Sequence, residues 1–196
     1  MNYFLKAKHW QLFLFIFGLP IAGRILSFTI YFFTNNNLIL FSKPILLLST
    51  VLNFISLLVL FCWMWSVGVI LNKKTPASLK MQVTYFKIAI LIPFFICSSL
   101  AIWYQITFGE YGYQLDIIGF AFFILFIYVI LLFIILLFPI TYCIYFIAKT
   151  IKILELKRSP KISDYIYEII LIVAFPIGIW YLQPIINDIY KKTITH

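Results

Sequence analysis

The sequence predicts an all-α integral membrane protein: a four-transmembrane-helix bundle with a C-terminal helical hairpin broken by proline and glycine. Three observations predict it. Of 196 residues, 64% are apolar, 20% aromatic and only 11% charged, far from the averages of soluble chains. Four apolar stretches are each long enough to cross a hydrocarbon core of about 30 Å, which takes about 20 helical residues. The loops between them carry Lys and Arg almost entirely on alternate sides. A chain of this length holds four or five spans with their connectors, so residues 1–196 are read as a single membrane domain.

The first stretch runs from Trp10 to Phe33 behind Lys6, Lys8 and His9, and contains Pro20 and Arg24. No small-residue cleavage site followed by a polar region succeeds it, so it is read as a retained span and not as a secretory signal. The second, Pro44 to Leu71, ends in a basic loop with Lys73, Lys74 and Lys80. The third, Tyr85 to Phe108, has Lys87 at its start and Pro93 inside it. A connector over 109–116 follows, with Glu110 and Asp116 and no cation. The fourth run, Ile117 to Ala148, would measure about 48 Å as a helix, so it must tilt, kink at Pro139 or protrude. Over Thr141 to Leu156, Ile144, Ile147, Ile151 and Leu154 recur at helical spacing while Lys149, Lys152 and Lys157 face elsewhere. That is the pattern of a span emerging as an amphipathic helix along the inner surface.

Orientation follows from the cations. With a cytoplasmic N-terminus, the inner segments hold Lys6, Lys8, Lys73, Lys74, Lys80, Lys87, Lys149, Lys152, Lys157, Arg158 and Lys161, and the outer loops hold Lys43 alone. This asymmetry places the N-terminus and the basic loops inside. The net charge of +9 is accounted for by these anchors, so no nucleic-acid face is expected; attraction to anionic lipid at the cytoplasmic face is a by-product.

The last apolar segment, Tyr165 to Leu182, starts from a Ser163-Asp164 cap, holds Glu168 one turn in, and is broken at Phe175-Pro176-Ile177-Gly178. A fifth crossing would put Lys191 and Lys192 outside, against every other loop. A re-entrant or interfacial hairpin keeps them inside, and this reading is favoured over a fifth span.

The C-terminal third contains Ala148-Lys149-Thr150-Ile151-Lys152, Glu155-Leu156, Ser163-Asp164-Tyr165, Phe175-Pro176-Ile177-Gly178-Ile179-Trp180, Gln183-Pro184 and Ile186-Asn187. With the opening Lys6-Ala7-Lys8-His9-Trp10-Gln11-Leu12-Phe13, it resembles an uncharacterised family of small bacterial multi-span inner-membrane proteins. The resemblance covers roughly half of the chain, and spans two to four agree in hydropathy alone. It implies the architecture and a bacterial inner-membrane location, and no mechanism.

Polar groups inside spans are the default functional candidates. Arg24 falls about 21 Å along the first helix from Trp10, in the outer half of the bilayer. Snorkelling to the outer headgroups is favoured there over a buried cation facing an anionic solute or an acidic partner. Glu168 is the in-span carboxylate, expected to pair with Lys87 or Lys149 or to sit at its helix's N-terminal dipole. Ser49, Asn53 and Ser56 share one face of the second span, read as a helix–helix seam with Ser98, Ser99 and Ala101 as the facing surface. The same stripe suits a homo-oligomer or another membrane protein, and a solute path is the alternative. Pro176 and Gly178 complete the set of candidates.

Cys62, Cys97 and Cys143 lie in three different spans and are read as packing residues with no disulfide. His9 and His196 fall outside the spans, so no in-span imidazole is available for zinc, haem or proton relay, and no cofactor or metal is expected. The residue sets of intramembrane proteases, a glycine-rich phosphate loop and an acidic magnesium cluster are missing from the sequence, so no catalytic residue is assigned. Trp10, Trp63, Trp65, Trp103 and Trp180 sit where an interfacial belt would form. Two function classes remain. The first is a non-enzymatic interaction, accessory or sensor subunit that docks a partner or anionic lipid through its basic inner face and hairpin. The second is a small channel or transporter with Arg24, Asn53 and the Pro/Gly break lining a path.

Overall fold

The computed structural model describes residues 3–33, 39–110 and 118–192, and every regular element among them is helical. A one-turn helix, α1 (Tyr3–Lys6), precedes α2, which covers residues 9–33 as His9–Phe13, a π-type turn Leu14–Gly18, and Leu19–Phe33. Helix α3 covers residues 39–71, α-helical over Ile39–Trp65 and π-type over Ser66–Leu71. Then come α4 (Val83–Glu110), α5 (Ile118–Leu156), α6 (Ile162–Val173) and α7 (Phe175–Lys192). The segments His9–Thr29, Leu47–Leu71, Val83–Leu100 and Ile130–Leu156 are long and apolar enough to cross a membrane, as the hydropathy predicts. Helix α5 runs unbroken through Pro139 for 39 residues. Of the sequence features singled out above, residues 111–117, His196 and the side chains of Phe33, Lys43, Ala101, Trp103, Phe108 and Glu110 lie outside the described set.

The helices pack in chain order, α2 on α3, α3 on α4 and α4 on α5, and the hairpin α6–α7 then bridges α5 back to α1 and α2. The end of the bundle that carries residues 72–82 and 157–161 is here called the basic end. Helix α7 descends toward it: Phe175 lies beside Phe17, Trp180 beside Phe13 and His9, and Tyr190 beneath Lys74. The hairpin therefore returns to the end at which it starts. With 12 residues, α6 is about 18 Å long, too short for a hydrocarbon core.

The elbow of the hairpin is Ala174, one residue before the expected Phe175-Pro176-Ile177-Gly178 break. Its N–H donates to the Ile170 carbonyl at 2.8 Å, and its own carbonyl accepts from Ile177 at 3.0 Å and Gly178 at 2.8 Å. Phe175 to Gly178 form the first turn of α7, where Pro176 gives up an N–H that has no helical partner in any case. A side chain on Gly178 would overlap the Leu171 carbonyl, so glycine there allows α6 and α7 to cross. Helix α6 begins earlier than the predicted Ser163-Asp164 cap. Lys161 is the capping position, its N–H donating to Asp164 Oδ2 at 2.9 Å, with Arg158 on the same carboxylate at 3.1 Å.

The core is concentrated at the basic end, where Trp63, Phe86, Phe146, Ile151, Leu182 and Ile186 are fully buried. Here the amphipathic reading of 141–156 is overturned. Cys143, Phe146, Ile147, Ala148, Ile151 and Ile153 are buried, with Phe146 stacked on Phe86 at 4.4 Å and α6 laid along α5. The periodicity is as read, but protein covers the apolar face, not a membrane surface. Farther from the basic end, large apolar side chains such as Phe28, Phe32, Phe133 and Phe138 point outward, an apolar surface of the kind a hydrocarbon solvent would favour.

The polar stripe of α3 also faces a different neighbour. Pro20 has no N–H to offer the Ile16 carbonyl four residues earlier, and the Ser56 hydroxyl donates to that carbonyl instead. A Cβ on Gly23 would stand 3.5 Å from the Ser49 Cα, so the two backbones run close. Ser49 and Ser56 thus seal α3 against α2, not against α4. Ser99 donates to Ile96 of its own helix at 2.8 Å, and the Ser98 hydroxyl is buried without a partner.

Candidate functional site

The polar chemistry of the described residues gathers where the hairpin meets the bundle. At its centre is Gln183, fully buried on α7. Its Oε1 accepts from Trp63 Nε1 at 2.9 Å, and its Nε2 donates to the carbonyls of Phe4 at 2.9 Å and Ala7 at 3.1 Å and to Asn187 Oδ1 at 3.1 Å. Asn187 Nδ2 adds a second bond to the Ala7 carbonyl at 3.2 Å. One amide thus ties α3, α7 and the N-terminal segment together, with its donors and acceptor satisfied. Phe175 closes the top of this seam, edge-on to Trp63 at 4.9 Å. Trp63 is consequently no belt residue: it is fully buried, because its N–H has found an internal acceptor. Trp10 and Trp180 are exposed as a belt requires, at 48% and 45%.

The second polar cluster joins α5 to α6. Glu168, 1% exposed, accepts from Lys152 at 2.9 Å, and Lys152 also holds Glu155 at 2.8 Å. The expected partners are engaged elsewhere, Lys149 on the Tyr145 hydroxyl at 2.7 Å and Lys87 over the Trp65 ring at 5.8 Å. Lys152 wins because it lies one turn after the buried Ala148, on the face of α5 that α6 covers. The second Glu168 oxygen is buried without a hydrogen-bond partner. A third feature fixes the basic loop: Asn72, buried, donates to the Met81 carbonyl at 2.9 Å and accepts its N–H at 3.3 Å, while Thr75 bonds the Asn72 carbonyl at 2.7 Å.

Beyond the elbow, toward the end away from the basic loops, lies a crevice of about 580 Å³ between α2, α3, α5 and the hairpin tip. Phe17, Pro20, Leu57, Ile140 and Pro176 are among its apolar walls, and Asn53 contributes an amide. Arg24 is exposed and is not among the lining residues. The predicted site residues are thus distributed: Asn53 and Pro176 meet at the crevice, Gly178 serves the hairpin crossing, and Glu168 is in the α5–α6 seam. Cys62, Cys97 and Cys143 are free thiols.

No protein-family model matches the chain, and no curated protein or solved structure matches it. Sequence reasoning missed Gln183, Asn187 and Asn72. The signal available was a polar amide one turn after Trp180 in an otherwise apolar helix face with Ile179, Leu182 and Ile186, which marks a buried group needing partners.

Proposed function

We propose that the chain is a non-enzymatic interaction or accessory subunit of a bacterial cytoplasmic membrane. Its N-terminus, basic loops and both ends of the hairpin then face the cytoplasm, and that face docks a partner protein or anionic lipid. The observation that carries this reading is the Gln183 seam. A fully satisfied buried amide fixes the N-terminal segment, α3 and α7 as one rigid end. Lys73, Lys80, Arg158 and Lys161 are displayed around it, each exposed, as suits an electrostatic docking face. The resemblance of residues 6–13 and of the stretch through Asn187 to bacterial inner-membrane proteins supports the same location.

A second reading, a small channel or transporter, draws on the placement of Asn53 in the crevice. Against it, Trp63 and Phe175 fill the space between the crevice and the basic end, and the crevice walls are apolar. Two measurements test the proposal. In a background with Cys62, Cys97 and Cys143 replaced by Ala, single cysteines at Asn35, Ser78 and Lys192 are probed in intact cells with an impermeant thiol reagent. Labelling at Asn35 alone is expected; labelling at Ser78 or Lys192 overturns the orientation. Liposomes reconstituted with the chain are expected to pass ions and small solutes no faster than empty ones. A flux that disappears in Asn53→Leu would install the transport reading instead.

A further inference from the structure

The hairpin fills the gap between α2 and α5 at the basic end and stops at Ala174. The space beyond it is the crevice of about 580 Å³, of a size that holds a ligand. Along its floor lie Phe175 and Pro176 of the hairpin tip. The contacts of α2 with α3 set the heights: Gly23 abuts Ser49 and Ile16 bonds Ser56, so Asn53 stands level with Leu19 and Pro20. Arg24 comes four residues after Pro20 and seven after Phe17, both crevice-lining. It therefore shares their face of α2, about 6 Å farther along the axis. Arg24 lies beyond the lining residues, exposed, and none of the ion pairs among the described residues includes it.

An apolar slot with an amide in its wall and a guanidinium one helical turn beyond its last α2 lining residue complements one kind of molecule. It is an amphiphile with an anionic phosphate head, an ester carbonyl just beneath, and an acyl chain. We infer that the crevice is a binding site for a single anionic phospholipid of the leaflet away from the basic end. The Arg24 guanidinium takes two phosphate oxygens in its planar fork. The Asn53 amide donates to the ester carbonyl, and the acyl chain descends between Phe17, Leu57 and Ile140 to the hairpin tip. The site rests on the membrane reading above but is independent of docking at the basic end.

The test is native mass spectrometry of the full-length chain released from detergent micelles with added palmitoyl-oleoyl phosphatidylglycerol. One retained lipid per chain is expected. Arg24→Gln should lower its occupancy at least tenfold, Arg24→Lys should fall between, and Leu57→Trp should remove it by filling the slot. Lys73→Gln with Lys80→Gln at the basic end should leave it in place, and inorganic phosphate should not displace it. The inference is overturned if Arg24→Gln retains the lipid as the parent does, if the loss follows the Lys73 and Lys80 changes instead, if phosphate alone competes, or if the parent appears as a lipid-free dimer. Should Leu57→Trp fail to fold, Arg24→Gln at an exposed position decides the matter, its thermal melt serving as the folding control. Failure of the docking reading leaves this lipid signal intact, so the two are separable.

Discussion

At Gly178 the missing side chain lets the Leu171 carbonyl occupy the space a Cβ would fill. Gly178→Ala should therefore push α6 and α7 apart at a cost of about 1–3 kcal/mol, read as a lowered melting temperature in detergent. Pro176→Ala, two residues earlier at a first-turn position that needs no N–H, should change stability by under about 0.5 kcal/mol. Equal losses in the two variants would show that the elbow depends on proline stiffness and not on close approach. The ion pair of Lys152 and Glu168 makes a second residue-scale prediction. Lys152→Met strands a carboxylate that is 1% exposed and should cost about 3–5 kcal/mol, while Lys152→Met with Glu168→Leu should recover most of it. A double variant no more stable than the single one, by thermal melt, would refute the pairing. That Glu168 needs a cationic partner was legible from its place in an apolar segment. Its partner was not, because Lys87, Lys149 and Lys152 are equivalent cations until the face of α5 under α6 is known.

Among the elements, the hairpin is hydrogen-bonded to both α3 and the N-terminal segment through one side chain, Gln183. Gln183→Ala leaves the Trp63 N–H and the carbonyls of Phe4 and Ala7 without that partner, and a buried orphan costs about 1–3 kcal/mol. The expected outcome is selective: trypsin should cut after Lys6 and Lys8 faster in the variant while the four long helices keep their helical circular dichroism. Unchanged cleavage there would mean that apolar packing of Trp180 on His9 and Phe13 holds the segment unaided. The return of the hairpin could be read from Lys191 and Lys192, since charge at a segment's end constrains its side. The surroundings of 141–156 and of Trp63 could not be read in the same way. A helical apolar period states that one face avoids water, and lipid and protein satisfy it equally.

On the scale of the whole molecule, the four spans were legible because a run of about 20 apolar residues needs no tertiary context to be recognised. Their neighbours were not, since the Ser49-Asn53-Ser56 stripe is compatible with any helix that offers a close backbone. It faces α2 because Pro20 frees a carbonyl and Gly23 admits contact. The two ends of the molecule differ in kind as a result: a dense, polar-pinned basic end and an open, apolar far end with a crevice. The polar pin has a consequence for how the protein is made. Gln183 and Asn187 grip the Ala7 carbonyl across sequence separations of 176 and 180. During synthesis the opening segment emerges first and waits, ungripped, while three further spans are added. Until Gln183 and Asn187 are made, the Ala7 carbonyl lacks both of its side-chain donors, so a chain stopped short of residue 183 should expose Lys6 and Lys8 to trypsin more readily than one that includes it.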